Sequence, residues 1–212
     1  MTLEILPEKG GANAKTFKVT IKRDKIRLED RAATSKVVEP KEGQYAGQKI
    51  GVIQIPGFYM NLTKDVEKEL AKLEADKVDG VIIDLRRNGG GALTEATLLT
   101  GLFIDKGPVV QIRDANGRIS QNSDHDGKSL YKGPLVVMVD RYSASASEIF
   151  AAALQDYDRA VIVGESTFGK GTVQQHKSLG RIYDMYDKDL GHVQYTIAKF
   201  YRINGGSTRL KG

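Results

Sequence analysis

The amino-acid sequence predicts an α/β fold in which a mainly parallel sheet is covered by helices. Three observations carry this prediction. Strand and helix patterns alternate along the chain from Lys49 onward, which is the order typical of α/β proteins. The run GVIIDL at residues 80–85 is continuously apolar, as in a strand buried on both faces. The segment TKDVEKELAKLEADK at residues 63–77 repeats apolar residues at helical spacing.

The part of the chain before this alternation is too small to enclose a core. Residues 2–7 (TLEILP) and 16–23 (TFKVTIKR) have strand-like patterns and flank a glycine-rich stretch. Residues 24–48 are charged and mixed in composition. We expect them to form a connector with one short strand.

From residue 49 onward, each element has a pattern of its own. In the helix at residues 63–77, Val66, Leu70 and Leu73 form one apolar stripe, and Thr63 is placed to cap the N-terminus. The complete set of expected elements is strands at 49–58, 80–85, 107–114, 133–140 and 159–165, helices at 63–77, 92–104 and 146–157, and hairpin-like strands at 180–187 and 191–207.

The composition is that of an ordinary globular domain. The chain has 212 residues, of which 40% are hydrophobic and 28% are charged, and this is enough to bury a core without cross-links. The absence of cysteine excludes disulfides, thiolate zinc sites and a cysteine nucleophile. The net charge of +5 is spread along the chain, so a nucleic-acid partner is disfavoured. No apolar run approaches the roughly 20 residues of a membrane span, and the first residues lack a signal-peptide pattern.

A lysine between two glycines, in the stretch VIVGESTFGKGTVQQ, raises the question of a phosphate loop. Gly164, Gly169 and Lys170 match most of the nucleotide-binding pattern GxxxxGK[ST]. The next position is Gly171, where that pattern needs a hydroxyl for magnesium, and Thr172 comes one residue late. The residues that follow lack a helical period, although a phosphate loop must open a helix. A nucleotide-binding enzyme is therefore the weaker alternative.

Two turns between a strand and a helix have the composition of a hydrolase site. In open α/β sheets, sites gather where strands pass to helices at their carboxyl ends. The turn DLRRNGGGAL contains three consecutive glycines, Gly89 to Gly91, which can present backbone N–H groups without side-chain obstruction. The same glycines fit a plain tight turn equally well.

The second turn, DRYSASASEIF, places serines at the start of a helix. Ser145 and Glu148 form the pattern of a capping box, which by itself would explain the serine. A serine at a helix N-terminus also lies in a positive field, and the N–H group of Ala146 points to where an oxyanion would form. Ser143 and Ser147 are rival nucleophiles on sequence grounds.

A helix-start serine, the glycine turn and Lys170 are together the parts of a Ser-Lys hydrolase. A lysine acts as a general base only when its amine is neutral, which burial or a nearby cation favours. A histidine base is the alternative. His125 lies in the polar turn SDHDG, however, and His176 and His192 lie in strand-like segments without a fixed relation to the serines. The SDHDG turn has no second ligand cluster beside it, so we expect no metal site.

These motifs together resemble a known protease family. The run SASASEIFAAALQDYDRAVIVGESTFGKGTVQ and the upstream DLRRNGGGALTEA are similar to the tail-specific, or C-terminal processing, serine proteases, and especially to the long bacterial periplasmic type. The three separated blocks agree in order, and the resemblance covers residues 47–212. It implies a peptide-bond hydrolase with a Ser-Lys dyad on a fold related to the crotonase and ClpP class.

The resemblance also implies roles for individual residues. The family's nucleophile, base and lysine-holding glutamine fall on Ser145, Lys170 and Gln174. Its oxyanion hole falls on Gly90 and Ala146. The other positions that the family needs for activity fall on Gly91, Glu148 and Thr167.

Asp156 matches an aspartate proposed in the long type as a third catalytic residue, but helix geometry argues against direct contact. Asp156 comes 11 residues after Ser145, which is about 16 Å along a helix axis. We therefore expect Asp156 to be a structural anchor and only a weak catalytic candidate. Four extended residues separate Gln174 from Lys170 by about 13 Å, so those side chains can meet only if Gly171 turns the chain.

The resemblance divides the chain into three parts. Residues 1–28 would be the last strands of an incomplete PDZ domain, residues 29–46 a linker, and residues 47–212 a catalytic core that is truncated at its C-terminus. We expect this core to cleave less well than a full-length relative, because the carboxylate-binding part of the PDZ domain is missing.

The implied substrates are unstructured proteins with apolar C-terminal tails, and an adaptor protein is a further implied partner. Neither a cofactor nor a nucleic-acid partner is expected, and the family implies a periplasmic location. A non-catalytic crotonase-like binding module is a third alternative, beside the protease and the nucleotide enzyme.

Overall fold

The computed structural model describes residues 2–7, 15–22, 32–125, 127–180 and 191–212. The chain divides into two compact units, Met1–Asp30 and Arg31–Gly212. In the first unit, β1 (Thr2–Ile5) pairs antiparallel with β2 (Phe17–Thr20). Both strands lie within segments that the sequence predicts as strands.

The second unit contains a five-stranded sheet that is mainly parallel, as predicted. The sheet has the order β3-β4-β5-β8-β9; β3 is antiparallel to β4, and the other neighbouring pairs are parallel. The segment expected to be a connector therefore contributes the edge strand β3. The elements of this unit are β3 (Thr34–Val38), β4 (Ile50–Gln54), α1 (Leu62–Ala75), β5 (Gly80–Asp84), α2 (Leu93–Gly101), β6 (Gly107–Asp114), β7 (Ile119–Asp124), β8 (Leu135–Val139), α3 (Ala146–Asp156), β9 (Val161–Gly164), β10 (Thr172–Ser178) and β11 (His192–Tyr201).

Strand β6 belongs to a second sheet, which the alternation of strands and helices does not predict. This four-stranded sheet has the order β10-β11-β6-β7, and all of its neighbouring pairs are antiparallel. A tight turn is the cause: Asp114 Oδ1 accepts the N–H groups of Asn116 and Arg118, both at 2.9 Å. A strand that enters such a turn pairs with its immediate successor instead of crossing over. The successor, β7, is too polar in sequence (ISQNSD) to be recognised as a strand.

The last predicted hairpin is described in part. Strand β11 lies within residues 191–207, where a strand is expected, and it pairs antiparallel with β10. The other expected strand, at residues 180–187, falls almost entirely outside the described residues.

The N-terminus of α1 is capped from another helix, so the prediction that Thr63 caps it is wrong. Asn61 precedes the helix with a φ of 70°, and Thr63 lies inside the first turn. The buried carboxylate of Glu95, on α2, accepts the N–H of Asn61 at 2.6 Å. It also accepts the N–H and the hydroxyl of Thr63, at 3.0 and 2.8 Å. A carboxylate neutralises the positive end of a helix more strongly than a hydroxyl does.

The apolar stripe predicted for α1 is buried. Val66, Leu70 and Leu73 are all at most 5% exposed, and each such burial contributes about 1.5–3 kcal/mol. The helix contacts β3 and β4. At Gly51 of β4, an added Cβ would lie 2.6 Å from the Leu73 side chain, so a larger residue there would require that side chain to move.

Helix α3 is fixed in the same core by Phe150. Its ring centroid lies 6.3 Å from that of Phe58 and 5.9 Å from that of Phe103, within the range of favourable aromatic pairs. Helix α2 contacts both α1 and α3. The start of α3 is therefore held on a rigid support.

Candidate active site

Three turns meet at one edge of the five-stranded sheet. Strands β5, β8 and β9 are parallel neighbours, so their carboxyl ends lie side by side. Residues 85–91 follow β5, residues 140–145 follow β8, and residues 165–171 follow β9. These are the glycine turn, the serine turn and the lysine loop that stand out in the sequence.

A cavity of about 230 Å³ lies between these turns and the β10–β11 hairpin. Five residues proposed from the sequence line it: Gly91, Ser145, Ala146, Lys170 and Gln174. The remaining walls are the apolar Leu93, Ile149, Val173 and Phe200 and the polar Thr172, His176 and Gln194.

Ser145 stands at the sharp turn from β8 into α3. Its backbone has φ of 58° and ψ of −111°, a conformation that costs a non-glycine residue about 1–3 kcal/mol and persists only where the surroundings impose it. In α/β-hydrolases, such a strained turn between a strand and a helix exposes the nucleophilic serine. The residue is half-buried and faces the cavity.

The two rival serines are buried, and their hydroxyls already form hydrogen bonds. The Ser143 hydroxyl donates to the carbonyl oxygen of Leu85 at 2.8 Å. The Ser147 hydroxyl donates to the carbonyl oxygen of Asn88 at 2.9 Å. Both serines are fully buried and neither lines the cavity. Of the three serines, the geometry therefore favours Ser145 as the nucleophile.

The glycine turn packs directly against the serine turn. At Gly90, φ is 95°, and an added Cβ would lie 2.5 Å from the carbonyl oxygen of Ala144 and 2.8 Å from Cβ of Ser145. The N–H of Gly90 already donates to Asn88 Oδ1 at 2.9 Å. The next residue, Gly91, is the one that lines the cavity.

The glycines around Lys170 let the C-terminal segment of the chain lie on the lysine loop. Gly169 has φ of 83°, and its carbonyl oxygen accepts the N–H of Leu210 at 3.0 Å. An added Cβ at Gly171 would lie 2.7 Å from Cβ of Arg209. After Gly171 the chain enters a strand, β10, and not a helix. The phosphate-loop alternative is therefore not supported, because its anion site needs a helix N-terminus.

A single carboxylate joins the serine turn to the lysine loop. Glu148 Oε2 accepts the N–H groups of Ser145 at 2.7 Å and Lys170 at 3.0 Å. Its Oε1 accepts the Thr167 hydroxyl at 2.8 Å and the N–H of Gly169 at 2.7 Å. Glu148 is 2% exposed, so these bonds are shielded from competition by water.

Two polar residues of the cavity come from β10. Gln174 and His176 are two positions apart and therefore share one face of the strand. The Oε1 of Gln174 accepts the side-chain amide of Gln194 at 2.6 Å, so its closest described partner is on β11. The place of His176 in this wall is not expected from the sequence, although the period of two from Gln174 could have indicated it.

The other histidines and Asp156 lie elsewhere. His125 and His192 are exposed and do not line the cavity. Asp156 is the last residue of α3, at the opposite end from Ser145. Its carboxylate pairs with Arg202, with Oδ1 2.5 Å and Oδ2 3.1 Å from the guanidinium nitrogens.

The Asp140 carboxylate organises the serine turn by accepting hydrogen bonds from backbone N–H groups. Its Oδ1 accepts the N–H groups of Arg87, Tyr142 and Ser143 at 3.0, 3.0 and 3.1 Å. Burial by itself would raise the pKa of the Asp140 carboxyl, but these hydrogen bonds outweigh it and the pKa is lowered. The ionised carboxylate therefore ties the glycine turn to the serine turn.

A protein-family model matches most of the sequence. The model described as Peptidase family S41 matches residues 49–212, which is most of the chain. The chain belongs to peptidase family S41. The family resemblance inferred from the motifs is thereby confirmed.

Sequence relatives of this S41 chain carry protease names. It is 59% identical over 210 residues to the tail-specific protease of Haemophilus influenzae, a match that covers 99% of the chain and 29% of that protein. It is 35% identical over 195 residues to the carboxy-terminal processing protease CtpA of Bacillus subtilis, covering 92% of the chain and 38% of that protein. The chain thus spans well under half the length of these curated relatives.

Solved structures have the same fold. The photosystem II D1 C-terminal processing protease has a TM-score of 0.74 and 28% identity, covering 100% of the S41 chain and 54% of that structure. Mature CPAF complexed with lactacystin has a TM-score of 0.68 at 13% identity, covering 100% of the chain and 61% of that structure. The latter likeness concerns the fold alone. A mixed α/β fold like that of C-terminal processing proteases is therefore established.

Two negative findings apply to the described ranges, residues 2–7, 15–22, 32–125, 127–180 and 191–212. No helix there is long and apolar enough to cross a membrane. Within the same ranges, no group of three or more histidine and acidic side chains is arranged to hold a metal ion.

Proposed function

We propose that this S41 chain is the catalytic core of a serine endopeptidase in which Ser145 is the nucleophile and Lys170 is the general base. The observation that carries the proposal is the shared cavity: Ser145 and Lys170 come from different turns, yet both residues line it. The Glu148 carboxylate, bound to the backbone N–H of each, supports the same pairing.

The proposed reaction proceeds through an acyl-enzyme. Lys170, as the general base, takes the hydroxyl proton of Ser145 while Oγ bonds to the scissile carbonyl carbon. The carbon–nitrogen bond then breaks, and Lys170 gives the proton to the leaving amine. Water, deprotonated by Lys170, attacks the ester carbonyl carbon; the bond from that carbon to Oγ then breaks, Lys170 returns the proton to Ser145, and the acid is released.

The oxyanion of the tetrahedral intermediate needs two backbone donors. Ala146 is the first residue of α3, so its N–H has no partner within the helix. The family resemblance suggests Gly90 as the second donor, but the N–H of Gly90 is already bonded to Asn88 Oδ1. We favour Gly91 for this role, because it lines the cavity beside Ser145. Gly90 then has a packing role: it allows the glycine turn and the serine turn to approach each other closely.

The remaining proposed roles are supporting ones. Glu148 and Thr167, which donates its hydroxyl to Glu148, would hold the backbone of both catalytic residues. Gln174 would orient Lys170 from the cavity wall that the two share. Asp156 has the contacts of a structural anchor, and we assign it no catalytic step.

Substrate and location are inferred from the relatives. One relative is named a tail-specific protease and another a carboxy-terminal processing protease. We propose that unstructured polypeptides with apolar C-terminal tails are cleaved in the periplasm, with an adaptor as a further partner. We further propose that the fold is related to the crotonase and ClpP class. The N-terminal strands β1 and β2 would be part of a PDZ domain.

Cleavage of an unstructured peptide with an apolar C-terminus tests the catalytic proposal. We expect Ser145→Ala and Lys170→Ala each to lower kcat at least about 1,000-fold, as removal of a member of a catalytic dyad does. Activity should need neither nucleotide nor metal. The matched control is His176→Asn, which removes the other basic side chain of the cavity and should keep kcat within about tenfold of wild type.

Two results would contradict the proposal. If His176→Asn abolishes cleavage and Lys170→Ala does not, the base is a histidine. If the folded wild-type chain cleaves no peptide, a non-catalytic binding module is the better description.

A further inference from the structure

The peptide carbonyl of Asn88 holds the chain on both sides of the nucleophile. It accepts the N–H of Ala144 at 3.0 Å and the hydroxyl of Ser147 at 2.9 Å. Ser145 lies between these two donors in sequence. One oxygen of the glycine turn therefore fixes the serine turn just before and just after Ser145.

Asn88 is itself held firmly. Its side chain is fully buried, and Nδ2 donates to the carbonyl oxygen of Ile55 at 2.8 Å. Its Oδ1 accepts the N–H of Gly90 at 2.9 Å. The side chain thus ties Asn88, and with it the peptide carbonyl, to the end of β4 and to Gly90.

The hydrogen bond from Ser147 to Asn88 lies beside the contact between the glycine turn and the serine turn. At Gly90 an added Cβ would lie 2.5 Å from the Ala144 carbonyl oxygen, so the two turns are in direct contact. Gly91 and Ala146, one on each turn, line the cavity beside Ser145. The bond from Ser147 to Asn88 therefore joins the turn that carries Gly91 to the start of the helix that carries Ala146.

The same bond restrains the strained backbone of the nucleophile. Ser145 has φ of 58° and ψ of −111°, which relaxes unless neighbouring contacts impose it. Ser147 is fully buried and its hydroxyl is already bonded, so it does not touch substrate.

We propose that Ser147 is a positioning residue for proteolysis: its hydrogen bond to the Asn88 carbonyl sets the spacing of the oxyanion hole and the orientation of Ser145. This inference rests on the proposed peptidase function. Ser147, the last serine of SASAS, would then act neither as a nucleophile nor merely as a residue of the helix.

Ser147→Ala removes the bond, and Thr100→Val is its matched control. Thr100 is also fully buried on a helix, and its hydroxyl donates to the carbonyl oxygen of Ala96 at 2.7 Å, within α2. Both variants lose one buried hydroxyl bond, so both should lower the urea midpoint to a similar extent. Only Ser147→Ala should lower kcat, by about 10- to 100-fold with KM within about twofold, because misplaced catalytic groups cost rate more than binding.

A peptide aldehyde gives a second readout that a purely structural role would not move. Ser145 Oγ adds to the aldehyde carbon, and the adduct oxygen occupies the oxyanion hole. The inhibition constant of the aldehyde should rise in Ser147→Ala by the same factor as kcat/KM falls, because the adduct resembles the transition state. In Thr100→Val both quantities should stay at wild-type values.

The outcomes separate this inference from the proposed function. Cleavage that survives Ser145→Ala overturns the proposed function and this inference with it. Cleavage that depends on Ser145, with kcat and the aldehyde constant unchanged in Ser147→Ala, overturns this inference alone, as do equal kcat losses in Ser147→Ala and Thr100→Val. Should Ser147→Ala fail to fold, Ser147→Cys keeps a weaker donor; an intermediate kcat supports the inference and a wild-type kcat overturns it.

Discussion

The side chain of Glu148 is 2% exposed, and its two oxygens accept four hydrogen bonds from two separate segments. One oxygen accepts from Ser145 and Lys170, and the other from Thr167 and Gly169. Because each oxygen takes two donors, a carboxylate fits this position and an amide does not. The residue thus couples the placement of the proposed nucleophile to that of the proposed base.

Glu148→Gln should lower both stability and activity. The side-chain NH2 of the glutamine would replace one carboxylate oxygen and could not accept the two hydrogen bonds that this oxygen accepts in the wild type. Two buried donors would be left unpaired, which should reduce the free energy of unfolding by about 2–4 kcal/mol. Urea unfolding measures the stability, and peptide cleavage measures the fall in kcat. The control is Glu165→Gln, since Glu165 is an exposed carboxylate paired with Arg141, and it should behave like wild type. Equal stabilities of the two variants would contradict the role assigned to Glu148.

At the scale of elements, the lysine loop is covered by the C-terminal segment. Gly169 accepts the N–H of Leu210 and has φ of 83°. A Cβ at Gly169 would lie 2.9 Å from the Leu210 nitrogen. The glycine before Lys170 is therefore required by both backbone conformation and close packing.

Gly169→Ala and Gly205→Ala separate these two requirements. Gly205 has φ of 86°, and an added Cβ there meets nothing within 4 Å. Both variants should lose about 1–2 kcal/mol from the unfavourable φ, and Gly169→Ala should lose more and also lower kcat because the lysine loop must shift. Urea unfolding and peptide cleavage measure the two effects. If both variants keep wild-type kcat, the packing of the C-terminal segment does not position Lys170.

Tyr59 links the chain before β3 to α1. Its hydroxyl accepts the N–H of Ala33 and donates to Asp65 Oδ2, both at 2.9 Å. Burial, together with the bond to the Asp65 carboxylate, raises the pKa of the Tyr59 hydroxyl to about 12, against an opposing effect of the Ala33 N–H. The neutral hydroxyl is therefore the form that the folded state prefers.

This linkage gives a pH dependence of known sign. The folded-state pKa of about 12 lies above the ordinary value of 10.0, so the stabilisation is complete below about pH 10 and is lost as pH rises toward 12. The stability difference between wild type and Tyr59→Phe should shrink over that window. Urea midpoints between pH 9 and 12 measure it, with Tyr45→Phe, at an exposed tyrosine, as control. A constant difference across the window would contradict the assignment.

At the scale of the whole second unit, Asp156 ties the helices to the antiparallel sheet. Its carboxylate side chain is 7% exposed and pairs with Arg202, just after β11, and with the Asn204 side chain at 2.9 Å. The contact joins the end of α3 to the end of β11. It lies far along α3 from Ser145.

Asp156→Asn should therefore lower stability without lowering kcat of the folded enzyme. Breaking the charged bonds should cost about 1–3 kcal/mol. The control is Asp158→Asn, at an exposed position two residues after the end of α3, which should leave stability unchanged. A kcat loss above tenfold in folded Asp156→Asn, absent in Asp158→Asn, would restore a catalytic role for Asp156.

Sequence patterns predict the local elements of this molecule well and their partners less well. The apolar stripe of α1 and the buried strand β5 follow from periodicity, and both are present. The sheet membership of β6 and the capping of α1 by Glu95 do not follow from it. Both depend on contacts between segments that are distant in the chain, and the spacing of apolar residues within one segment cannot predict such contacts.

The candidate site shows the same division. Its parts, the glycine turn, the serine turn and the lysine loop, are visible as motifs, since each local composition is unusual. Local pattern leaves Ser143, Ser145 and Ser147 open as nucleophiles, and the family resemblance points to Ser145. The structure adds that Ser145 lines the cavity, whereas the hydroxyls of the other two serines are buried and hydrogen-bonded. His176 joins the cavity only because β10 pairs with β11 in the second sheet.

The sequence by itself determined the α/β order of the elements and the three motif-bearing turns, because these depend on local composition and on periods of a few residues. It also indicated the protease family, through the resemblance of those motifs and of their order along the chain. The tertiary structure alone decided which serine faces the cavity, which glycine lines it and what Glu148 holds together. Parallel strands β5, β8 and β9 bring distant turns to one edge, and there the buried Ser143 and Ser147 hydroxyls and the Glu148 carboxylate find hydrogen-bond partners on neighbouring segments.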